Sequence, residues 1–480
     1  MTSSLDIAHV VRALTGGDLP DSICVLSGAV VDSRRAQMGS LFVALAGEHA
    51  DGHTFVTDAF ARGASVALID RPVAGDHSTV DLRQPMDLAS VELAPPLCLL
   101  VEDTLLALQK LAAYWRKRFT PRVVGITGSV GKTTTKEVVH AVLASRYQTL
   151  KSAGNLNNEI GLPLTLLQLT PACERVVLEM GMYARGEIAT LAAIGQPQVG
   201  VVTNVGPVHL ERLGTIQAIA DAKAELVQAL PPSPEGVAIL NQDDPLVRAM
   251  AERTLARVLT YGLNTQADLW ADQVVSSGLG GIHFALHYGG ETVSVRAPLL
   301  GRHSVHTALR AAAVGLAEGL DWSDIVSGLT SETHQLRLVA VPGPGDSLLL
   351  DDTYNASPAS SIAALNLLAE LDGRRVAVLG DMLELGSATE AGHRQVGRRA
   401  AEVVDLLITV GQLAEIMANE ALAFGLSPDQ VVVLPDVQRA VDRLPTLIRP
   451  HDMVLIKGSR GIRLDRLVDC LSYGRTNAED

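Results

Sequence analysis

Short apolar runs recur along most of the chain and alternate with longer segments in which apolar residues have a helical spacing. In the middle of the chain these runs are RVVGIT, RVVLEM, VGVVTNV and GVAIL. Continuous apolar runs are typical of strands buried on both faces, and helices between them are typical of a parallel sheet covered on both sides. The pattern therefore predicts an α/β fold.

Changes in this alternation divide the chain into three predicted domains. Residues 1–103 contain the strand-like run SLFVALAG and, within 54–70, a helix followed by a buried strand. The central domain, 104–332, carries the four runs above and a Gly-rich stretch at 267–300 that predicts an antiparallel appendage to its parallel sheet. Residues 333–480 resume the alternation and predict a second open, doubly wound sheet that is Rossmann-like.

Two shorter patterns concern single segments. Residues 74–96 hold three prolines and scattered acidic residues, which predict an excursion or linker. Ser357 and Pro358 predict the start of a helix, because serine is favoured at the N-cap and proline at the first helical position.

Composition and charge exclude some kinds of partner and site but do not indicate a function. The 480 residues are 47% hydrophobic with a formal charge of −14, which indicates a globular protein of about three domains. Nucleic acid is not expected as a partner, since phosphate backbones bind clustered Lys and Arg. The four cysteines have no CxxC spacing, so neither a disulfide framework nor a zinc site is expected. Lysine occurs only seven times, which suggests that lysine is kept where arginine cannot substitute.

The ends and apolar runs of the chain bear on its location. The amino-terminal segment MTSSLDIAHVVRAL lacks a basic region, and no apolar run approaches the ~18 residues of a membrane helix. We expect a cytoplasmic protein without membrane insertion, and a monomer as the default.

The run GITGSVGKTTTKEVV lies between a predicted strand and a predicted helix, which is the context of a phosphate-binding loop. Its spacing is shorter than that of the common Walker motif, which would have a glycine in place of Ile126. Glycines allow close approach of the backbone, the lysine supplies a cation, and the threonine after it can ligate Mg²⁺. The predicted ATP-binding residues of this loop are Gly128, Ser129, Val130, Gly131, Lys132, Thr133 and Thr134.

Two residues at the ends of predicted strands suggest a metal site. Glu179 ends the run RVVLEM, and His209 lies in the loop after VGVVTNV. Alone, each is usually a solvated turn or surface residue. With Thr133 they bring oxygen and nitrogen ligands to one edge of the sheet, which suits Mg²⁺ because this ion keeps waters and takes few protein ligands.

Lys223 falls inside the apolar stripe of the helical segment TIQAIADAKAELVQAL. A lysine in that position must extend to solvent, pair with an anion or lose its proton, since desolvation lowers its pKa. A neutral lysine amine can take up CO₂ as a carbamate, which is a carboxylate-like ligand for Mg²⁺. A lysine that reaches solvent at the edge of the helix face is the alternative.

These motifs together resemble the Mur ligases, the ATP-dependent amide-forming enzymes of peptidoglycan precursor synthesis, over nearly the whole chain. VVDSRRAQMGSLFVALAGEHADGHTF resembles the family segment that handles the UDP end of the substrate, so the first domain is implied to bind it. TGSVGKTTTKE, LEMGM, GPVHLERLG and IADAKAEL resemble the short phosphate loop and the segments of the metal glutamate, the metal histidine and the carbamylated lysine. GNLNNEIGLPLTLL, DDTYNASPAS, VLGDMLELG and KGSRG are similar to ligand loops of the members that add D-Ala-D-Ala.

The resemblance implies a ligation of three substrates. ATP phosphorylates the terminal carboxylate of a UDP-N-acetylmuramoyl-tripeptide, and the amine of D-Ala-D-Ala attacks the acyl phosphate, so that ADP and phosphate are released. Lys132 and two Mg²⁺ ions are implied to bridge the anions. Thr133 and Glu179 are implied to hold one ion, and His209 and a carbamylated Lys223 the other; Lys132, His209 and Lys223 are the implied catalytic residues.

The resemblance also implies ligand contacts elsewhere. Arg337 is the candidate interdomain phosphate contact and Asp352 the candidate ribose contact, although a surface arginine and a turn aspartate are equally common readings. The implied substrate-binding residues are Ser33, Arg34, Asn155, Asn158, Asn355 and Ser357. One segment departs from the family, because GRHSVHTALRAA has Ser304 and Thr307 where asparagines near the adenine and ribose are expected.

Two other functions remain open at this point. Folylpolyglutamate synthase resembles this architecture and chemistry, but the DSR segment and the run DDTYNASP argue against it. A nucleotide-binding regulator without turnover would bind ATP and produce no ADP in response to an acceptor; the departures at Ser304 and Thr307 are its only support.

Overall fold

Three sheets organise the part of the chain that the structure, a computed structural model, describes. The described residues are 4–17, 24–47, 50–84, 93–331 and 338–472. The predicted α/β fold is confirmed, with a parallel sheet first, a mixed sheet in the centre and a mostly parallel sheet last. The domain boundaries at 103/104 and 332/333 stay predictions. Among the described helices, none is long and apolar enough to cross a membrane.

The first sheet has five parallel strands in the order β1-β2-β3-β5-β4. Its elements are α1 (Ile7–Thr15), β1 (Gly28–Val30), β2 (Ser40–Val43), α2 (Val56–Ala61), β3 (Val66–Ile69), β4 (Ser78–Asp81) and β5 (Leu97–Leu100). The prediction of a linker over 74–96 is wrong at β4, which pairs with β5. An edge strand with the sequence STVD buries little side chain, so it leaves no apolar run to detect.

The central sheet has nine strands in the order β14-β13-β12-β11-β10-β9-β6-β8-β7. Its strands are β6 (Arg122–Thr127), β7 (Thr149–Lys151), β8 (Arg175–Glu179), β9 (Val199–Val202), β10 (Val237–Asn241), β11 (Arg257–Gly262), β12 (Leu269–Ser276), β13 (Ile282–Tyr288) and β14 (Glu291–Ala297). Pairing is parallel from β7 to β12 and antiparallel between β12, β13 and β14. The predicted antiparallel appendage is therefore confirmed.

Helices cover both faces of the central sheet. They are α3 (Thr104–Arg116), α4 (Lys132–Ala144), α5 (Gly161–Leu166), α6 (Glu187–Gly195), α7 (Leu210–Leu213), α8 (Ile216–Gln228), α9 (Pro245–Arg248), α10 (Val305–Ala317) and α11 (Trp322–Thr330). Successive residues of a strand point to opposite faces, so Val123 packs in one hydrophobic cluster and Val124 in another. Burial on both sides explains why β6 reads as a continuous apolar run.

The last sheet has six strands in the order β15-β16-β20-β17-β18-β19, and only the edge strand β15 is antiparallel. Its elements are β15 (Val339–Pro342), β16 (Leu348–Asp352), α12 (Pro358–Ala369), β17 (Arg375–Gly380), α13 (Thr389–Val403), β18 (Leu406–Val410), α14 (Glu415–Ala423), β19 (Val431–Leu434), α15 (Val437–Leu447), β20 (Met453–Lys457) and α16 (Asp465–Leu471). The predicted helix start is confirmed, since Ser357 caps α12 and Pro358 is its first residue.

Candidate active site

The phosphate loop connects the end of β6 to the start of α4, as the sequence predicts. Gly128 and Gly131 have φ values of +144° and +84°, in the region that favours glycine. A Cβ atom at Gly128 would lie 1.9 Å from Oγ1 of Thr203, so no larger residue fits there. Lys132 opens α4, and its Nζ donates to the carbonyl of Gly128 at 2.8 Å. The amides at the start of α4 point toward this loop, which is the arrangement that binds phosphate.

The segment that follows β9 fixes the shape of the phosphate loop. The backbone N–H of Ser129 donates to the Asn204 carbonyl, and the N–H of Val130 donates to Oδ1 of Asn204, both at 2.9 Å. The hydroxyl of Ser129 also exchanges hydrogen bonds with the backbone of Gly206. Thr134 lies half-buried in the first turn of α4. Asn204 is a residue that sequence reasoning missed, because an asparagine after a strand has no distinctive spacing.

Glu179 lies at the carboxyl end of β8 and is fully buried, which excludes the alternative of a solvated turn residue. The hydroxyl of Thr133 donates to its Oε2 at 2.8 Å, and Nδ2 of Asn157 donates to its Oε1 at 2.8 Å. Nζ of Lys136 lies 3.9 Å from Oε2. The paired hydroxyl and carboxylate are hard oxygen ligands of the kind that Mg²⁺ takes.

The described residues contain no group of three or more His, Cys, Asp and Glu side chains placed to hold a metal ion. Mg²⁺ is usually bound through one or two carboxylates, waters and substrate phosphates. The adjoining oxygens of Thr133 and Glu179 therefore suit such an ion.

Lys223 lies on α8 and only 2% of its surface is exposed, so the alternative of a lysine extended into solvent is excluded. Burial first, and the positive charge of Lys132 second, lower its pKa well below the usual value. Nζ forms no hydrogen bond with any described residue. A buried lysine without an anion favours the neutral amine, which is the form that can react with CO₂.

His209 precedes α7 with a left-handed φ of +56°. Its Nδ1 lies 2.6 Å from Oε2 of Glu384, and its ring packs edge-on against Tyr183 with the centroids 5.0 Å apart. Burial lowers the pKa of His209, Glu384 raises it, and the nearby charges of Lys132 and Lys223 lower it. The structure thus brings the three predicted catalytic residues within electrostatic reach of one another.

The substrate-side loop before α5 is anchored to the metal-site glutamate. Asn157 is the residue that contacts Glu179, and sequence reasoning did not name it; the prediction that Asn155 and Asn158 bind substrate stays a prediction. Oδ1 of Asn158 accepts from the N–H of Gly161 at the start of α5. The carbonyl of Asn155 accepts from the N–H of Asn157. Residue type and spacing could not decide which asparagine of GNLNNEIG points inward.

In the last sheet, Asp352 and Lys457 end the neighbouring strands β16 and β20. Nζ of Lys457, a residue 2% exposed, donates to Oδ2 of Asp352 at 2.6 Å and to the carbonyl of Asn355 at 2.8 Å. The candidate ribose contact is therefore already paired with a cation. Ser357 is largely committed to capping α12. Sequence reasoning did not name Lys457 as a partner of Asp352, although the scarcity of lysine was a signal.

The first sheet presents the predicted UDP-side residues. Ser33 is buried, and Arg34 is exposed beside it, with its guanidinium held by Asp32 through contacts of 2.8 to 3.2 Å. An oriented and exposed guanidinium can meet an anionic substrate. Arg337, the candidate interdomain phosphate contact, lies outside the described residues.

Ser304 and Thr307, which stand where the family has asparagines, each form a hydrogen bond with a nearby residue. The hydroxyl of Ser304 donates to the carbonyl of Leu300 at 2.6 Å. Oγ1 of Thr307 accepts from Nη2 of Arg310 at 2.8 Å. Arg310 is buried, and sequence reasoning did not single it out although it lies beside a run of apolar residues.

Comparison with known families covers most of the chain. Residues 26–116 match the description "Mur ligase family, catalytic domain", residues 126–315 match "Mur ligase middle domain", and residues 337–460 match "Mur ligase, glutamate ligase domain". These three segments correspond to the three sheets.

Individual relatives align with nearly the full length of the chain. The chain is 38% identical to the UDP-N-acetylmuramoyl-tripeptide–D-alanyl-D-alanine ligase of Synechocystis sp., covering 93% of this chain and 92% of that one. It is 36% identical to the Bacillus subtilis protein of the same name, covering 92% and 93%. Crystal structure I of MurF from Acinetobacter baumannii superposes with a TM-score of 0.81 at 32% identity, covering 98% of this chain and 99% of that one. The structure of MurF from Thermotoga maritima in complex with ADP superposes with a TM-score of 0.76 at 27% identity, covering 94% of this chain and 98% of that one.

Proposed function

The chain belongs to the Mur ligase family, and we propose on that basis that it joins D-Ala-D-Ala to UDP-N-acetylmuramoyl-tripeptide with consumption of ATP. The observation that carries this proposal is that relatives with this activity in their names align with more than nine-tenths of the chain. The product is the UDP-muramoyl-pentapeptide precursor of peptidoglycan. ADP and phosphate are released.

The first step brings two anions together, so fixed positive charge is needed where they meet. The γ-phosphoryl group of ATP passes to the terminal carboxylate of the tripeptide. Backbone amides of residues 128–134 and the ammonium of Lys132 bind and orient the phosphates. The hydrogen bond from Nζ of Lys132 to the Gly128 carbonyl supports this assignment, because it holds the ammonium beside the loop.

Mg²⁺ would neutralise charge on the phosphates and on the reacting carboxylate when it is bound. We assign two ions. Thr133 and Glu179, already in contact at 2.8 Å, would hold the first. His209 and a carbamylated Lys223 would hold the second.

Carbamylation changes the sign of the charge at Lys223. The neutral Nζ attacks CO₂, a C–N bond forms, and one proton leaves to solvent, so an amine becomes an anion. Burial and the charge of Lys132 support this reaction because both favour the neutral amine. Lys132 would then have an anion as its neighbour instead of a neutral amine.

In the second step the amine of D-Ala-D-Ala attacks the acyl phosphate, and phosphate leaves as the amide forms. The acyl phosphate must be shielded from water. The contact between His209 and Glu384 supports shielding, since it joins the central sheet to a loop of the last sheet. We assign Arg337 and Asp352 to the nucleotide and Ser33, Arg34, Asn155, Asn158, Asn355 and Ser357 to the substrates.

The proposal is tested by ADP release from the purified chain with ATP and Mg²⁺. Release should require both D-Ala-D-Ala and UDP-N-acetylmuramoyl-tripeptide, tested with diaminopimelate and with lysine as the third residue. Release that depends on glutamate and folate would contradict the proposal and favour folylpolyglutamate synthase. ATP binding without acceptor-dependent ADP would favour a regulator.

A further inference from the structure

Arg310 is a charged residue in the buried, mostly apolar middle of α10. It lies in the second turn of α10, where the preceding Leu309 and the following 311–314 are fully buried. The arginine itself is 4% exposed. Placing a guanidinium in such a position is costly unless an anion or a full set of hydrogen bonds compensates it.

The contacts of the guanidinium do not provide that compensation. Nη2 donates to Oγ1 of Thr307 at 2.8 Å, and Nη1 makes a long contact of 3.4 Å to the hydroxyl of Tyr261. Nε is buried without a hydrogen-bond partner. No carboxylate among the described residues lies within ion-pairing distance of Arg310. Its hydrogen-bond acceptors are thus neutral oxygens, and Cζ lies 5.9 Å from the centroid of the Tyr261 ring, so the positive charge has no counter-ion among the described residues.

The guanidinium of Arg310 also lies close to the phosphate loop. A Cβ atom built on Gly131 would lie 3.4 Å from Nη2 of Arg310. Gly131 immediately precedes Lys132 and has the left-handed φ that shapes the loop. Nη2 of this buried guanidinium therefore lies next to the backbone of the phosphate loop at Gly131.

We propose that Arg310 is a positioning residue for the nucleotide, and that the phosphates of ATP or ADP are the counter-charge that its guanidinium lacks. This inference rests on the proposed use of ATP. Because the charge is buried, its attraction to a phosphate across Gly131 is screened less than it would be in water. Thr307 stands where an asparagine is expected in the family, and its hydroxyl accepts a hydrogen bond that orients the guanidinium of Arg310.

Arg116 provides a matched control. It is 5% exposed, but each of its guanidinium nitrogens donates to a backbone carbonyl, namely Gly195, Phe119 and Pro121, at 3.0 to 3.2 Å. Its hydrogen bonds stabilise the folded protein whether or not nucleotide is bound. The two arginines thus differ in whether the apo protein satisfies them.

The experiment compares R310M, R310K and R116M in the full chain by thermal unfolding without ligand and by calorimetric titration with ADP and Mg²⁺. We expect R310M to bind ADP about tenfold more weakly or worse, with a melting temperature no lower than that of the wild type. R310K should recover most of the affinity. R116M should melt at a lower temperature and bind ADP within about twofold of the wild type.

The inference is overturned if R310M binds ADP as well as the wild type does. It is also overturned if R310M loses affinity together with apo stability and R310K restores neither, since that result indicates a packing role. Failure of the proposed function looks different. In that case the wild type releases no ADP in response to its two acceptors, whatever the arginine variants do.

Discussion

Nδ1 of His209 lies 2.6 Å from Oε2 of Glu384, so the candidate metal histidine of the central sheet is held by a carboxylate of the last sheet. The histidine is 21% exposed and the glutamate 46% exposed. With Nδ1 donating its proton to the carboxylate, Nε2 is left as the atom that can face a metal ion. Docking of the two sheets thereby fixes the ring orientation.

Replacing Glu384 with alanine should weaken the metal site without removing a metal ligand. Loss of an outer partner of a ligating histidine typically costs 10–100-fold in metal affinity. We expect E384A to raise the Mg²⁺ concentration for half-maximal ADP release by about tenfold. The control is E390A, because Glu390 is an exposed residue of α13 paired with Arg394. An unchanged Mg²⁺ dependence in E384A would contradict the assignment of His209.

Lys223→Arg should abolish most activity although it conserves charge. Arginine keeps its proton and cannot form a carbamate under these conditions, so a cation would occupy the position assigned to an anion. We expect kcat to fall by about 10²-fold or more. In ¹³C NMR with labelled bicarbonate, the wild type should show a carbamate resonance that K223R lacks.

The matched control for Lys223 is K110R, since Lys110 is an exposed residue of α3. This variant should retain both the resonance and the activity. A fully active K223R, or a wild-type protein with no carbamate signal in the presence of Mg²⁺ and ATP, would remove the second metal site from the mechanism.

Much of the fold was predictable because β6, β8 and β9 are buried on both faces and read as continuous apolar runs. β4 was not predictable, since an edge strand buries little and STVD carries only one apolar residue. In the site, Glu179 and Lys223 were accessible to sequence reasoning because a charged residue at a strand end or within an apolar stripe is unusual. Their burial distinguishes them from solvated residues.

Other site residues depend on distant pairings that no local pattern encodes. Asn157 and Asn158 are neighbours of the same type, and only the packing of the loop decides which one contacts Glu179. Glu384 lies 175 positions from His209 along the chain. Arg310 breaks an apolar pattern, yet its relation to Gly131 appears only when α10 packs beside the phosphate loop.

Asn157→Ala and Asn158→Ala should have separable effects. N157A removes the donor to Oε1 of Glu179, so we expect activity or Mg²⁺ affinity to fall by about tenfold with little change in melting temperature. N158A removes the acceptor for the N–H of Gly161 and should cost about 1 kcal/mol of stability. Steady-state kinetics and thermal unfolding of both variants check this. A raised KM for the tripeptide substrate in N158A would support its predicted substrate contact. A loss of stability in N157A together with a loss of Mg²⁺ affinity in N158A would contradict these assignments.

His393 should make the last sheet sensitive to acid. It is fully buried in α13, its Nε2 accepts from the N–H of Met382, and its Nδ1 donates to the carbonyl of Thr389. Both contacts require the neutral ring with the proton on Nδ1. Burial lowers the pKa of His393 below 6.5, while the Thr389 carbonyl and Asp381 raise it by less.

The direction of the effect follows from proton linkage. With a lowered pKa in the folded state, the unfolded chain binds the proton first as the pH falls below 6.5. The contribution of His393 to the free energy of unfolding is therefore complete above pH 6.5 and is lost progressively at lower pH.

In H393Q the amide oxygen can still accept from Met382, but the group does not titrate. We expect the melting temperature of the wild type to fall more steeply between pH 7.5 and pH 5.5, about one unit either side of the ordinary histidine pKa, than that of H393Q. H283Q, which changes an exposed histidine of β13, should follow the wild type, and parallel curves for all three proteins would rule out His393 as the acid-sensitive group.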